Sequence, residues 1–189
     1  MQRIAEYRGN LLNHVEALYR PGDRELVVAL AEVLGCGIAD TGIDSRSSGT
    51  YLAIHPALDD QDPSNNAIYV SQVTDEQYAL EEALTELGKG DTELAGHLAR
   101  YHSKAQHWPF GIPHFGLRYG SERQIEDVAT RLQNAAPALQ ERVKICMFRP
   151  GPDSASEFIQ GFIHQDIVVA GSFFLGQLIE LQYQPEPEQ

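Results

Sequence analysis

The sequence is poor in the features that announce an extracellular scaffold, a nucleic-acid partner or a membrane. It has two cysteines, Cys36 and Cys146, in 189 residues. A disulfide-stapled scaffold needs more, and both thiols fall in predicted strands, where a buried, reduced cysteine is the expected state. Cations are scarce: 14 Lys and Arg stand against 27 Asp and Glu, a formal charge of −13. No Lys/Arg-rich run offsets this, so the chain should repel nucleic acid and anionic lipid, its acidity serving solubility. No apolar run approaches the roughly 18 residues of a membrane span. Met1 to Asn10 carries charges and lacks the apolar centre of a secretory signal. A cytoplasmic protein with neither membrane nor nucleic-acid partner is therefore expected. Also missing are a Gly-rich phosphate loop, a Cys-x-x-Cys pair and a Gly-x-Ser-x-Gly elbow.

What is present is a hydrophobic content of 42%, enough for a sizeable core. Leu11 to Tyr19 reads as a strand. Pro21-Gly22-Asp23 breaks it, and Asp23 is placed to cap a helix over Arg24 to Leu34 with Leu26, Val27, Leu30, Val33 and Leu34 at helical spacing. Gly35 is its stop. Cys36 to Ile43 and Thr50 to His55 read as a hairpin around 44–49. A polar loop, 59–66, precedes a fourth strand over 67–73. Thr74 then caps a helix with the stripe Ala79, Leu80, Ala83, Leu84 and Leu87, ended by Gly88. A second helix runs from Asp91 or Thr92 to about Gln106. After the loop His107-Trp108-Pro109-Phe110-Gly111 the first pattern returns: a strand over 112–119, a helix capped by Ser121, and strands over 143–148, 158–169 and 177–183. The tail 184–189 is expected to be disordered.

The return is a repeat in residues as well as in order. The first strand of each half carries a histidine with a tyrosine five residues on, His14 with Tyr19 and His114 with Tyr119. Each third strand carries Ile-His, as Ile54-His55 and Ile163-His164. Internal duplication follows. Alternation along the strands places Val15, Ala17 and Tyr19 on one face and His14 and Glu16 on the other. It does the same for Phe115, Leu117 and Tyr119 against His114, Gly116 and Arg118, and for Ile179 and Leu181 against Leu178, Glu180 and Gln182. The polar chemistry collects on one face of each sheet. The expected fold is α+β: two paired βαβββ modules, 10–73 and 112–183, with curved mixed sheets facing each other across a small-molecule pocket, and a helical insert at 74–111.

Three segments carry a family resemblance. Leu11-Leu12-Asn13-His14-Val15, the run from Asp62-Pro63 to Tyr69-Val70, and Gly176-Gln177-Leu178-Ile179-Glu180-Leu181 resemble the opening strand, the turn into the fourth strand and the metal-bearing fourth strand of the vicinal oxygen chelate superfamily. That superfamily includes glyoxalase I, extradiol dioxygenases and the fosfomycin- and bleomycin-resistance proteins. The resemblance implies a divalent ion (Fe, Mn, Zn or Ni) held by His14, His114 and Glu180. Tyr69 stands where glyoxalase I has a glutamate, which leaves a set of two histidines and one carboxylate.

Such a set leaves coordination positions open for two vicinal substrate oxygens, and the ion then acts as a Lewis acid or, if iron, activates dioxygen. Against this stands the reading of two ordinary strand histidines and a solvated Glu180, although a buried carboxylate among Leu178, Ile179 and Leu181 needs a partner. Tyr69 is placed to donate a hydrogen bond or act as an acid. Arg118 is placed to pair with a substrate anion, with a plain surface arginine as the alternative. His55 and His164 are candidate acid/base groups, a pairing that repeat symmetry explains equally well. His97, His102 and His107 are spaced by five on a helix, so neighbours diverge by about 140° and cannot chelate as i, i+4 pairs do; they read as surface or packing residues. Trp108 and Phe110 read as covers over a core, or as a lid. The expected function is a metal-dependent lyase, isomerase, transferase or dioxygenase acting on a small oxygen-bearing molecule, as monomer or homodimer. The alternative is a metal-free, bleomycin-resistance-like binding protein of the same fold, and a third reading is a scaffold that docks a partner through its insert.

Overall fold

A computed structural model describes residues 14–44, 50–59, 66–151 and 158–183. The architecture is α+β, with β1 (His14–Tyr19), α1 (Arg24–Leu34), β2 (Gly37–Asp44), β3 (Thr50–His55) and β4 (Ala67–Gln72) forming a first module. The second holds β5 (His114–Arg118), α4 (Glu122–Gln133), α5 (Pro137–Gln140), β6 (Val143–Phe148), β7 (Ile159–Gln165) and β8 (Gln177–Tyr183). Between them lie α2 (Asp75–Gly90) and α3 (Thr92–His107). The sheets have the same order, β1-β4-β3-β2 and β5-β8-β7-β6. In each, the first and last strands pair in parallel, which sets the two chemistry-bearing strands side by side. The expected segments 10–13, 62–65 and 184–189 lie outside the described residues.

One apolar cluster serves both modules. Ala17 and Tyr19 from β1, Val27, Leu30 and Leu34 from α1, Leu117 from β5, Ile125, Val128 and Leu132 from α4, and Ile179 and Leu181 from β8 all belong to it. These are the residues that strand alternation and helical spacing assign to the inner faces. Helix α1 packs directly against α4 and α5. Its C-terminal carbonyls, which have no partner within the helix, are satisfied from the second module: Arg131 Nε donates to Val33 O at 2.7 Å and Tyr119 Oη to Leu34 O at 2.8 Å. Gly35 ends α1 in the left-handed region at φ 78°, as expected of a C-terminal glycine.

The modules are also joined by charge. Arg20 Nη1 and Arg142 Nε donate to the two carboxylate oxygens of Asp166, at 2.6 and 2.8 Å, and Arg142 Nη1 reaches Asp23 at 2.7 Å. Beside this network Leu18 and Val169 exchange two backbone hydrogen bonds of 2.9 Å, so the chain beyond β7 adds a rung to β1.

Several local expectations fail for tertiary reasons. Asp23 makes no side-chain cap on α1, because its carboxylate is turned to Arg142. Gly88 does not end α2. It stays helical and buried, where an added Cβ would lie 3.0 Å from the Phe174 ring, so glycine marks a close approach. The apolar stripe assigned to α2 faces outward, with Leu80 60% and Leu87 56% exposed. The anchor of α2 is instead the buried Glu81, which accepts from Ser172 Oγ at 2.9 Å and the Phe174 N–H at 3.0 Å. The short α5 lies between α4 and β6, in a stretch to which the sequence assigned no element.

Candidate functional site

Strand register carries the repeat into space. In the second module His114, Leu178, His164 and Lys144 form one cross-strand row. In the first, His14 pairs with Ala67 and His55 with Gly37, in the corresponding strands. The next row on the same face reads Glu16, Tyr69, Ala53, Ala39 in the first module and Gly116, Glu180, Phe162, Cys146 in the second. Each module thus carries one carboxylate in that row, on its first strand in one case and on its fourth in the other. Sequence reasoning placed Glu16 on the open face but gave it no role. The signal was its position two residues beyond His14.

The second module holds the tighter constellation. His114 Nδ1 lies 2.8 Å from Ile112 O. A carbonyl only accepts, so Nδ1 carries a hydrogen, and Nε2 faces Glu180 Oε2 at 3.1 Å. The other carboxylate oxygen, Oε1, accepts from Gln160 Nε2 and from Gln182 Nε2 at 3.3 Å. Glu180 is 8% exposed, and these contacts stabilise the burial of its charge. Gly116 leaves the space: a Cβ there would lie 3.5 Å from Glu180 Oε2. The His114 ring meets Phe162 edge-on at 5.6 Å, and Phe162 continues through Phe110 and Phe148 to Trp108, which is 61% exposed. Lys104 fixes the Trp108–Phe110 loop by donating to the carbonyls of both residues, at 3.2 and 2.8 Å.

The first module brings His14 against Tyr69, with ring centroids 5.1 Å apart. The four residues carried over from the family resemblance thus fall into two contacting pairs, His114 with Glu180 and His14 with Tyr69. Among the described residues no group of three or more His, Cys, Asp or Glu side chains is arranged to hold a metal ion.

The remaining candidates are spread out. Arg118 is exposed and lines a cavity of about 400 Å³ with Tyr119, Asp127 and Arg131, on the α4 side of β5. His55 is 2% exposed and its Nδ1 finds no hydrogen-bond partner among the described residues. His164 meets His102 of α3 at 5.4 Å between centroids. Burial holds the His164 imidazole below its ordinary value, the Leu175 carbonyl opposing this and His102 adding to it. His97 and His107 are exposed, whereas His102 is a packing residue with Nε2 3.2 Å from Phe174 O. The insert is no mere surface appendage. Helix α3 packs on β6 and β7, and Tyr101 and Ala105 join Phe162, Leu178, Cys146 and Phe148 in a small cluster on the sheet face that carries Glu180.

No protein-family model matches the sequence, and no curated protein matches it. Among solved structures the chain is similar to the crystal structure of a glyoxalase/bleomycin resistance protein/dioxygenase from Alicyclobacillus acidocaldarius. The two are 12% identical, with a TM-score of 0.45 over 92% of this chain and 90% of that one.

Proposed function

We propose that the chain binds a small oxygen-bearing molecule at the open sheet faces and acts on it with a divalent ion, as the vicinal oxygen chelate resemblance implies. The observation that carries this reading is the His114–Glu180 pair. A metal-binding histidine usually donates its second ring N–H to a carbonyl or carboxylate, which orients the ligating nitrogen. His114 has this arrangement, with Nδ1 on Ile112 O and Nε2 turned to Glu180. Nε2 and Oε2 are 3.1 Å apart, which sets an imidazole nitrogen and a carboxylate oxygen side by side. Gln160 and Gln182 hold the other oxygen of Glu180, as outer partners of a ligating carboxylate do. His114 and Glu180 would hold an ion as a pair of adjacent donors; His14, the third ligand that the resemblance implies, is not gathered with them. Bound there, a divalent ion supplies Lewis-acid chemistry to vicinal oxygens. Tyr69, beside His14, is placed to donate to the substrate.

A second reading has its own support. Glu180 Oε1 is already satisfied by Gln160 and Gln182, and no third ligand joins the His114–Glu180 pair among the described residues. That is what a metal-free binding protein of this fold would show. Metal content of protein purified without chelators, followed by titration of a divalent series into wild type and Glu180→Gln, separates the two. The enzyme reading expects one ion per chain and an affinity at least about tenfold weaker in the variant. Equal affinities, or no stoichiometric ion after reconstitution, refute it in favour of the metal-free binder.

A further inference from the structure

The first module has a pocket beside the row that carries Glu16 and Tyr69. It encloses about 200 Å³ between Glu16 on β1, Tyr69 on β4, Tyr51 on β3, and Thr41 and Ile43 on β2. One wall is a bulge. The pairing of β2 with β3 slips between Asp40 and Asp44, and Gly42 adopts φ 68°. Bulges re-aim side chains, and this one is held in place: the Gly42 N–H donates to Asp40 Oδ1 at 2.9 Å, the Ile43 N–H to Thr41 Oγ1 at 3.2 Å, and Thr41 Oγ1 to Tyr51 O at 3.0 Å. Arg24 neutralises Asp40 at 2.7 Å, outside the pocket lining. In the second module β6 pairs with β7 without a slip, and the matching row holds Gly116 and the internally bonded Glu180.

We propose that this pocket binds a small organic cation, an amine or quaternary ammonium, through the Glu16 carboxylate and the Tyr51 and Tyr69 rings. Among the described residues the lining contains one carboxylate and no Lys, Arg or His, so its field favours positive charge. Ser71 Oγ donates to Glu16 Oε1 at 2.9 Å and fixes the carboxylate's orientation. The two tyrosine rings stand 6.3 Å apart at 61°, an aromatic corner of the kind whose π faces attract ammonium groups. Ile43 and the Thr41 methyl supply apolar contact for alkyl substituents. An anion would meet Glu16 unpaired, and a neutral apolar molecule would bury its charge without return. The 27 acidic residues against 14 basic ones raise the local concentration of cations in the same direction.

Choline is a direct probe, with 3,3-dimethylbutan-1-ol as its neutral isostere, titrated calorimetrically with EDTA present so that no divalent ion contributes. Choline is expected to bind saturably and at least about tenfold tighter than the alcohol. Glu16→Gln, which keeps the shape and the Ser71 hydrogen bond, is expected to lose at least about tenfold of that affinity, and Tyr51→Leu to lose about threefold or more. Glu180→Gln should leave choline binding unchanged, so this inference and the proposed metal site fail independently. Equal binding of the two probes, an unaltered affinity in Glu16→Gln, or no saturable choline binding overturns the proposal.

Discussion

The substitution Asp166→Asn tests how the two modules hold together. Its carboxylate accepts from Arg20 at 2.6 Å and from Arg142 at 2.8 Å, while the Asp166 carbonyl accepts from the same two guanidiniums at 2.8 and 3.0 Å. The amide keeps one acceptor oxygen and presents an N–H₂ to the other arginine, donor against donor; the carbonyl bonds survive. A hydrogen bond to a charged group contributes about 1.5–3 kcal/mol when buried. Asp166 is 33% exposed and its partners 26% and 24%, so solvent screening reduces each to about half. The expected loss is about 2 kcal/mol, or about 4–8 °C in Tm for a chain of this size. Burial alone would raise the Asp166 pKa, but the hydrogen bond from Arg142 and the charges of Arg20 and Arg142 hold it below the ordinary 3.8. Its stabilisation is therefore complete above the unfolded-state value and is lost as pH falls through the lower folded value. Urea unfolding of both proteins should show a gap that is flat from about pH 5 to 7 and closes below about pH 4. A gap under about 0.5 kcal/mol at neutral pH, or one that persists into acid, would refute the reasoning.

Gly176→Ala forces a left-handed residue, φ 72°, to carry a Cβ 2.8 Å from His164 Nε2 and 3.1 Å from Gln165 O, and should cost about 2–3 kcal/mol in denaturant unfolding. Burial raises the Cys36 thiol to about 11, so at pH 8 the native protein should alkylate there about a hundredfold or more slowly than the unfolded chain, with peptide mapping as the readout. His102→Ala opens solvent to His164 and removes a neighbouring imidazole, so the His164 pKa should move back up toward 6.5, measured by NMR titration. Because a depressed histidine pKa makes the unfolded state bind protons first, wild-type stability falls as pH drops below 6.5, and in this variant the fall should be shallower if the fold is kept.

Much of the fold is local in origin, which is why it can be read along the chain. Helix α1 has its apolar residues on one face and Gly35 behind it, and β3 and β8 are short runs buried over 52–55 and 178–181, so their bounds emerge from neighbours in sequence. The likeness of the two sheets also follows from the repeat. The misreadings share a different cause. Gly88 looks like a helix stop until the Phe174 ring is placed over it, and Asp23 looks like a cap until Arg142 arrives from 119 residues away. Leu80 and Leu87 follow a helical stripe, yet a single buried carboxylate, Glu81, decides which face of α2 turns inward. At the site, the Tyr69-for-carboxylate departure drew the eye to a missing ligand. The register shows the first module's carboxylate displaced by one strand, at Glu16, a relation that needs pairing partners as well as residue order.

The capping of α1 by Arg131 and Tyr119 has a consequence for how the chain is made. The ribosome delivers residues in order, so the first module emerges with the last carbonyls of α1 unpaired and the apolar side of Leu30 and Leu34 uncovered. Nothing local completes it. The nascent chain must wait through the whole of α2 and α3 before Tyr119 and Arg131 are synthesised, and longer still before Leu139 closes the same cluster. During that interval the early half is a sticky, half-built object that chaperones recognise. A gene truncated after the insert would yield that object permanently, and the duplication visible in the sequence has left two halves that mature only together.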